Sequence, residues 1–283
     1  MIVPKESITP HIIDLAGGIG DILNVFYITD AVSIIKQAPG SLILLRSHNR
    51  HAKKFIQQQG CSNIFDLSSV WKESTHQFFV EAVDNLEELC KLDFSNSQVT
   101  CIKERSYNGA LVNPPNAQDV VFFFDRKEAL ILESLSKLQK LVAIHYTAGS
   151  VDRDIPKEIL IDIIEFLLSK HYVPVIVGNG NSYDLSEYSK YIINLETINA
   201  TVGFSNEVIK KCSYFIGSHS SMNLVAWHNK IKSLILMPES TYHSHFFDTL
   251  EEKTVWNFGA FDLNNKVALF SNYNDNLVKE FLR

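Results

Sequence analysis

One pattern recurs along the chain and leaves few folds open. A short apolar run is followed by a turn of glycine or hydroxyl residues, and then by a segment with helical periodicity. The run His11-Ile12-Ile13-Asp14-Leu15-Ala16 leads into Gly17-Gly18-Ile19-Gly20-Asp21. From Ile22 to Gln37, Leu23, Phe26, Tyr27, Val32 and Ile35 fall close to one helical face. Strands over 41–45 and 63–67 follow, joined by a helix over 51–59 that Gly60 stops. Strands that are apolar throughout belong to parallel sheets covered on both faces. Their alternation with helices predicts a doubly wound parallel sheet with right-handed crossovers.

The pattern restarts at Leu141-Val142-Ala143-Ile144-His145. A polar loop then reaches Pro156, which opens a helix running to about Lys170. Further strands are expected over 172–177, 192–195, 214–217 and 232–237, with helices over 184–190, 206–212 and 222–228. At 283 residues the chain suits two domains. The expected division is 1–139, an N-terminal acceptor-side unit with a strand over 119–124 and a helix over 126–140; 140–262, a donor unit; and a tail over 263–283. A helix in that tail is expected to pack back on the first domain. The stretch 71–116 yields no clear pattern.

Composition narrows the function. With 46% hydrophobic and 20% charged residues the chain can bury a core, and a net charge of −6 disfavours general affinity for nucleic acid. The segment Arg46-Ser47-His48-Asn49-Arg50-His51-Ala52-Lys53-Lys54 is a local exception: a solvated loop, or a place for an anionic acceptor. Four scattered cysteines without a C-x-x-C pair argue against a disulfide framework or a zinc site. Neither a signal peptide nor an apolar stretch of about 20 residues is evident, so a cytoplasmic location is expected.

Only twelve glycines are present, yet several cluster in strand-to-helix turns, where backbone can approach a ligand. Three such turns stand out. Gly17–Asp21 is not G-x-G-x-x-G and has no acidic residue about 20 positions on, which disfavours a nicotinamide cofactor. Asp21 there is either a helix cap or a carboxylate presented to a ligand. Thr147-Ala148-Gly149-Ser150-Val151-Asp152-Arg153-Asp154 offers hydroxyls, a glycine and a guanidinium to an anion. Alternatively, Arg153 pairs with its flanking aspartates and Asp154 caps the helix. Gly217-Ser218-His219-Ser220-Ser221 again places hydroxyls before a helix, but lacks the final glycine of a nucleophile elbow. No Walker A motif is present.

In order and spacing these segments resemble glycosyltransferase family 9, the ADP-heptose:lipopolysaccharide heptosyltransferases. The matching stretches are Leu15–Asn24 with the 42–45 strand, Ile144–Ser150 with Asp152–Pro156, Val173–Gly178, and Phe204 through Phe215–Met222 to Ala226. The resemblance implies a GT-B fold, two Rossmann-like domains facing a central cleft. It also implies an inverting, metal-independent glycosyltransferase with no cofactor beyond its nucleotide-sugar co-substrate. Residue by residue, Asp21 matches the general base, and Arg153 stands where the family has a lysine beside the donor diphosphate. Donor contacts are expected from Gly18, Gly20, Thr147, Ser150, Gly178, Asn181, Ser218, His219, Ser220 and Ser221, and acceptor contacts from Arg46 and Arg50. The third motif departs from the family, with His219 for aspartate, Ser221 for glycine and Leu224 for histidine. That leaves the donor open, and a glycan, a protein or a modified DNA base open as acceptor. The alternatives are a nucleotide-sugar binding protein or inactive paralogue, and a sugar-nucleotide epimerase.

Overall fold

The computed structural model describes residues 12–16, 18–28, 42–46, 52–66, 125–148, 151–178, 183–198, 200–241 and 265–283. Expectations for Gly17, Arg50, Gly149, Ser150, Gly180 and Asn181, for the 71–116 stretch and for the 119–124 strand lie outside these residues. The chain divides into two compact units, Met1–Ser106 with Pro115–Val120, and Tyr107–Pro114 with Val121–Arg283.

In the first unit, β1 (Ile12–Ala16), β2 (Leu42–Arg46) and β3 (Ile64–Asp66) form a parallel sheet in that order. Helix α1 (Ile19–Ile28) begins three residues earlier than the periodicity suggested, and buries Ile22, Leu23 and Phe26. Helix α2 (Ala52–Gln58) buries Phe55 and Ile56, with Phe55 edge-on to Phe26 at 5.3 Å. It ends at Gly60, whose φ of +93° is the left-handed stop that glycine adopts without strain.

The second unit carries a six-stranded parallel sheet. Its strands are β4 (Leu141–His145), β5 (Val173–Ile176), β6 (Ile193–Asn194), β7 (Tyr214–Ser218), β8 (Ser233–Met237) and β9 (Asn265–Leu269). The spatial order β6-β5-β4-β7-β8-β9 is that of a dinucleotide-binding Rossmann sheet, which reverses direction between β4 and β7. Every residue of β4 and β8 is buried, as strands covered on both faces require. Among the described residues, α4 (Lys157–Ser169), α5 (Val202–Lys211), α6 (Ser221–His228) and α7 (Asp275–Phe281) cover the sheet. One core joins Val142, Ile144, Ile163, Leu167 and Ile216 to Val278 and Phe281 of α7.

Three features differ from the sequence reading. The tail is built into the second unit. It supplies the sixth strand, paired with β8 over five residues, and α7, which buries Leu277, Val278 and Phe281 in the second unit's core. Helix α3 (Arg126–Leu135), expected in the first domain, is tied to the second unit by a carboxylate. Glu128 accepts from the Asp125 N–H at 2.8 Å, closing a capping box, and from the Thr201 N–H at 2.9 Å. Thr201 in turn caps α5, accepting from the Phe204 N–H, so α5 starts at Val202 rather than Asn206. Among the described residues no helix is long and apolar enough to cross a membrane.

Candidate functional site

In open α/β sheets ligands bind beyond the carboxyl ends of the strands, at the point where strand order reverses. In the second unit that point lies past His145 of β4 and Ser218 of β7. Gly217 is registered opposite His145, and two hydrogen bonds cross between the two strand ends. Ser218 Oγ donates to the Thr147 carbonyl at 2.8 Å, and Ser220 Oγ lies 2.9 Å from His145 Nδ1.

The β4 side is a braced loop. Tyr146 is fully buried, stacks on Tyr183 at 5.1 Å and donates its hydroxyl to Glu196 at 2.8 Å. Its carbonyl accepts from the Ile155 N–H, and the Tyr183 hydroxyl donates to the Ile155 carbonyl. Between these anchors the chain makes a short 3₁₀ turn, Val151–Arg153, with Val151 exposed and Arg153 half-buried. Asp154 does not cap α4, whose cap position is Pro156. Instead, Asp154 Oδ1 accepts from the Ala148 N–H at 2.6 Å and closes the loop on itself. Burial pushes the Asp154 carboxyl up, while its own hydrogen bond and Arg153 pull it back.

The β7 side is a helix start. Ser220, in extended backbone, precedes α6, and its N–H donates to Asn223 Oδ1 at 3.0 Å. Such a helix N-terminus, with hydroxyls beside it, suits an anion. Its serines divide by burial: Ser218 is fully enclosed and braces Thr147, whereas Ser220 and Ser221 stay half-buried. His219 is buried.

His145 joins the two sides and was missed in the sequence, where it reads as the last residue of an apolar strand. Its imidazole is 7% exposed, and burial lowers it to about 4, so the ring is neutral at pH 7. Gly178 covers the ring. Its φ is +105°, and a Cβ there would sit 2.6 Å from His145 Nε2. Glycine is required at 178 by the imidazole as much as by any ligand.

The structure thus gathers Thr147, Gly178, Ser218, His219, Ser220 and Ser221 at one sheet edge, with Arg153 on the same β4–α4 connection. Gly18, Gly20, Asp21 and Arg46 belong to the first unit. Gly20 and Asp21 lie within the first turn of α1, so Asp21 is not the cap residue, and Arg46 ends β2. In the basic segment Lys53 faces Asp66 at 3.5 Å.

No family model matches the sequence, and no curated protein matches it. Solved structures do match in fold. The E. coli ADP-heptose lipopolysaccharide heptosyltransferase II aligns at TM-score 0.56 and 10% identity, over 96% of this chain and 97% of that one. A glycosyltransferase family 9 structure from Veillonella parvula gives 0.56 and 10%, over 97% and 96%. E. coli heptosyltransferase WaaC with ADP-2-deoxy-2-fluoro heptose gives 0.55 and 10%, over 96% and 98%. The fold is therefore shared with these enzymes along nearly the whole chain, as the family resemblance implied.

Proposed function

We propose that this chain is an inverting glycosyltransferase that moves a sugar from a nucleoside-diphosphate sugar to an acceptor hydroxyl. The observation that carries the reading is the meeting of Thr147, Ser220 and Ser221 at the strand reversal, on the connection that also bears Arg153. Hydroxyl donors and a helix start at the strand ends, with an arginine on the adjoining loop, are complementary to a diphosphate. The fold shared with heptosyltransferases supports the same reading.

In this mechanism the second unit holds the donor nucleotide. Asp21 takes the proton from the acceptor hydroxyl as its oxygen attacks the anomeric carbon. The bond from that carbon to the diphosphate oxygen breaks, and Arg153 offsets the charge growing on the departing nucleoside diphosphate. Attack opposite the leaving group inverts the anomeric centre. The reading gives no metal a role. Glycan, protein and modified-DNA hydroxyls all remain acceptor classes, and Arg46 and Arg50 are the acceptor-side cations.

A thermal-shift screen with ADP-, UDP-, GDP- and CMP-sugars tests the donor. A ligand at a hundred times its Kd adds about 2.7 kcal/mol, a readily measured rise in Tm. One nucleotide class is expected to stand out, and silence from all four sinks the donor site. Binding without release of nucleoside diphosphate to any acceptor class would instead mark a nucleotide-sugar binding protein.

A further inference from the structure

The bond that crosses the strand reversal fixes more than a distance. Ser220 Oγ and His145 Nδ1 are 2.9 Å apart, so one of them donates to the other. A serine hydroxyl has one proton, and a neutral imidazole carries one N–H. If Ser220 donates to Nδ1, its oxygen offers only lone pairs to a ligand and repels an anion. If Nδ1–H donates to Oγ, the Ser220 proton is free to point elsewhere.

An anionic ligand, whose oxygens only accept, selects the second arrangement. Burial keeps the ring neutral, so its single N–H must choose one nitrogen. Nδ1 is the nitrogen that faces Ser220, while the Nε2 side of the ring packs against Gly178. Contact with Gly178 also holds the ring in place. The Ser220 N–H is held by the Asn223 side chain, and Ser220 Oγ faces the Asn223 N–H in a capping box, so the oxygen is placed as an acceptor and its proton is what can turn.

We propose that His145 is a positioning residue: as the Nδ1–H tautomer it donates to Ser220 Oγ and turns the Ser220 proton toward the oxygens of a nucleoside diphosphate at the start of α6. This rests on the nucleotide-sugar reading and deepens it by stating what Ser220 recognises. Diphosphate oxygens only accept, so they require this tautomer, whereas a neutral hydroxyl ligand would tolerate either.

Two measurements test the proposal, each with ADP, UDP and GDP as probes. In the wild-type protein, long-range ¹H–¹⁵N correlation of the histidine rings reads the tautomer directly. The ligand-saturated protein is expected to show Nδ1–H at His145, and Nε2–H there overturns the proposal. The second is a double-mutant cycle on affinity. Ser220→Ala is expected to weaken binding about tenfold, the scale of one hydrogen bond to a charged group. His145→Phe should cost about the same, and the double variant no more than either alone, because His145 acts through Ser220. His145→Asn, which places an amide N–H near Nδ1, should recover most of the loss. Additive losses, or no rescue from a folded Asn variant, would make His145 merely structural and overturn the assignment. If wild type binds none of the three probes, the nucleotide reading falls with it. Wild-type binding with the wrong tautomer removes this inference alone.

Discussion

The first strand-to-helix connection of each unit solves a similar problem by opposite means. Between β1 and α1 there are two residues, Gly17 and Gly18, and the helix begins at once. Between β4 and α4 there are eleven, Tyr146 to Pro156, and hydrogen bonds brace both ends of them. Tyr146 reaches Glu196, Tyr183 reaches Ile155, Thr147 receives Ser218 and Asp154 receives Ala148. A bare glycine link brings a carboxylate into the first turn of a helix and little else. A long braced loop can present several donors and a cation, but each must be fixed against the entropy of a mobile chain. The proposed function reads this difference as a division of labour, with a base on one unit and a ligand grip on the other.

The sharpest way to break that division is at Asp21. Asp21→Asn preserves the shape of the first turn of α1 and removes the base. Transfer is expected to fall by about 10²–10⁴, the range of general-base contributions, while nucleotide-sugar binding stays at the wild-type level. Assays of released nucleoside diphosphate beside calorimetric affinity separate the two. Transfer near the wild-type rate would reduce Asp21 to a favourable charge in a helix first turn.

The bracing of the second unit is tested next at Gly178. Alanine there adopts an unfavourable φ and drives its methyl group into the His145 imidazole. A loss of about 2–4 kcal/mol in denaturant unfolding is expected from strain and overpacking together. An unchanged midpoint would mean that the imidazole moves freely, and that the brace across the strand reversal is weak.

How much of this was legible in the sequence follows from the same contrast. Strands β4, β5 and β8 announced themselves because burial on both faces demands unbroken apolar runs. The Gly17–Asp21 turn was readable because glycines interrupt the apolar run directly before the helix. Strand β9 was missed because an edge strand is half-buried, and Asn265-Lys266-Val267-Ala268-Leu269 carries no continuous apolar signal. The start of α5 was missed because its cap, Thr201, precedes a helical glycine, and its second support is Glu128, 73 residues away. The site divides likewise. Hydroxyl and glycine clusters marked the right turns, but the separate uses of Ser218 and Ser220 depend on partners in another strand. His145 looked like the end of a strand because nothing local tells a histidine that it will be covered by Gly178.

The smallest expected effect concerns the aspartate of the braced loop, the counterpart of Asp21 in the other connection. Asp154 gives its Oδ1 to the Ala148 N–H, and burial raises its carboxyl above the usual range. A group whose native pKa lies above its unfolded one holds its proton more tightly when folded. Its contribution to stability therefore declines as pH rises from about 4 through the raised native value, and the charged form carries a penalty above it. Asp154→Asn retains the acceptor for Ala148 and removes the charge. At pH 7 the variant is expected to gain about 0.5 kcal/mol or less, with no difference from wild type near pH 3. The slope of stability against pH should flatten just above pH 4. Because the lost carboxylate neighbours Arg153, affinity for a nucleoside diphosphate should rise modestly, most clearly at low ionic strength, where screening is weakest. Lower stability at pH 7 would show that the loop depends on the Asp154 charge and not only on its oxygen. Asp154 would then act through its charge, as Asp21 is proposed to do, and the contrast between a base and a brace would fail at this residue.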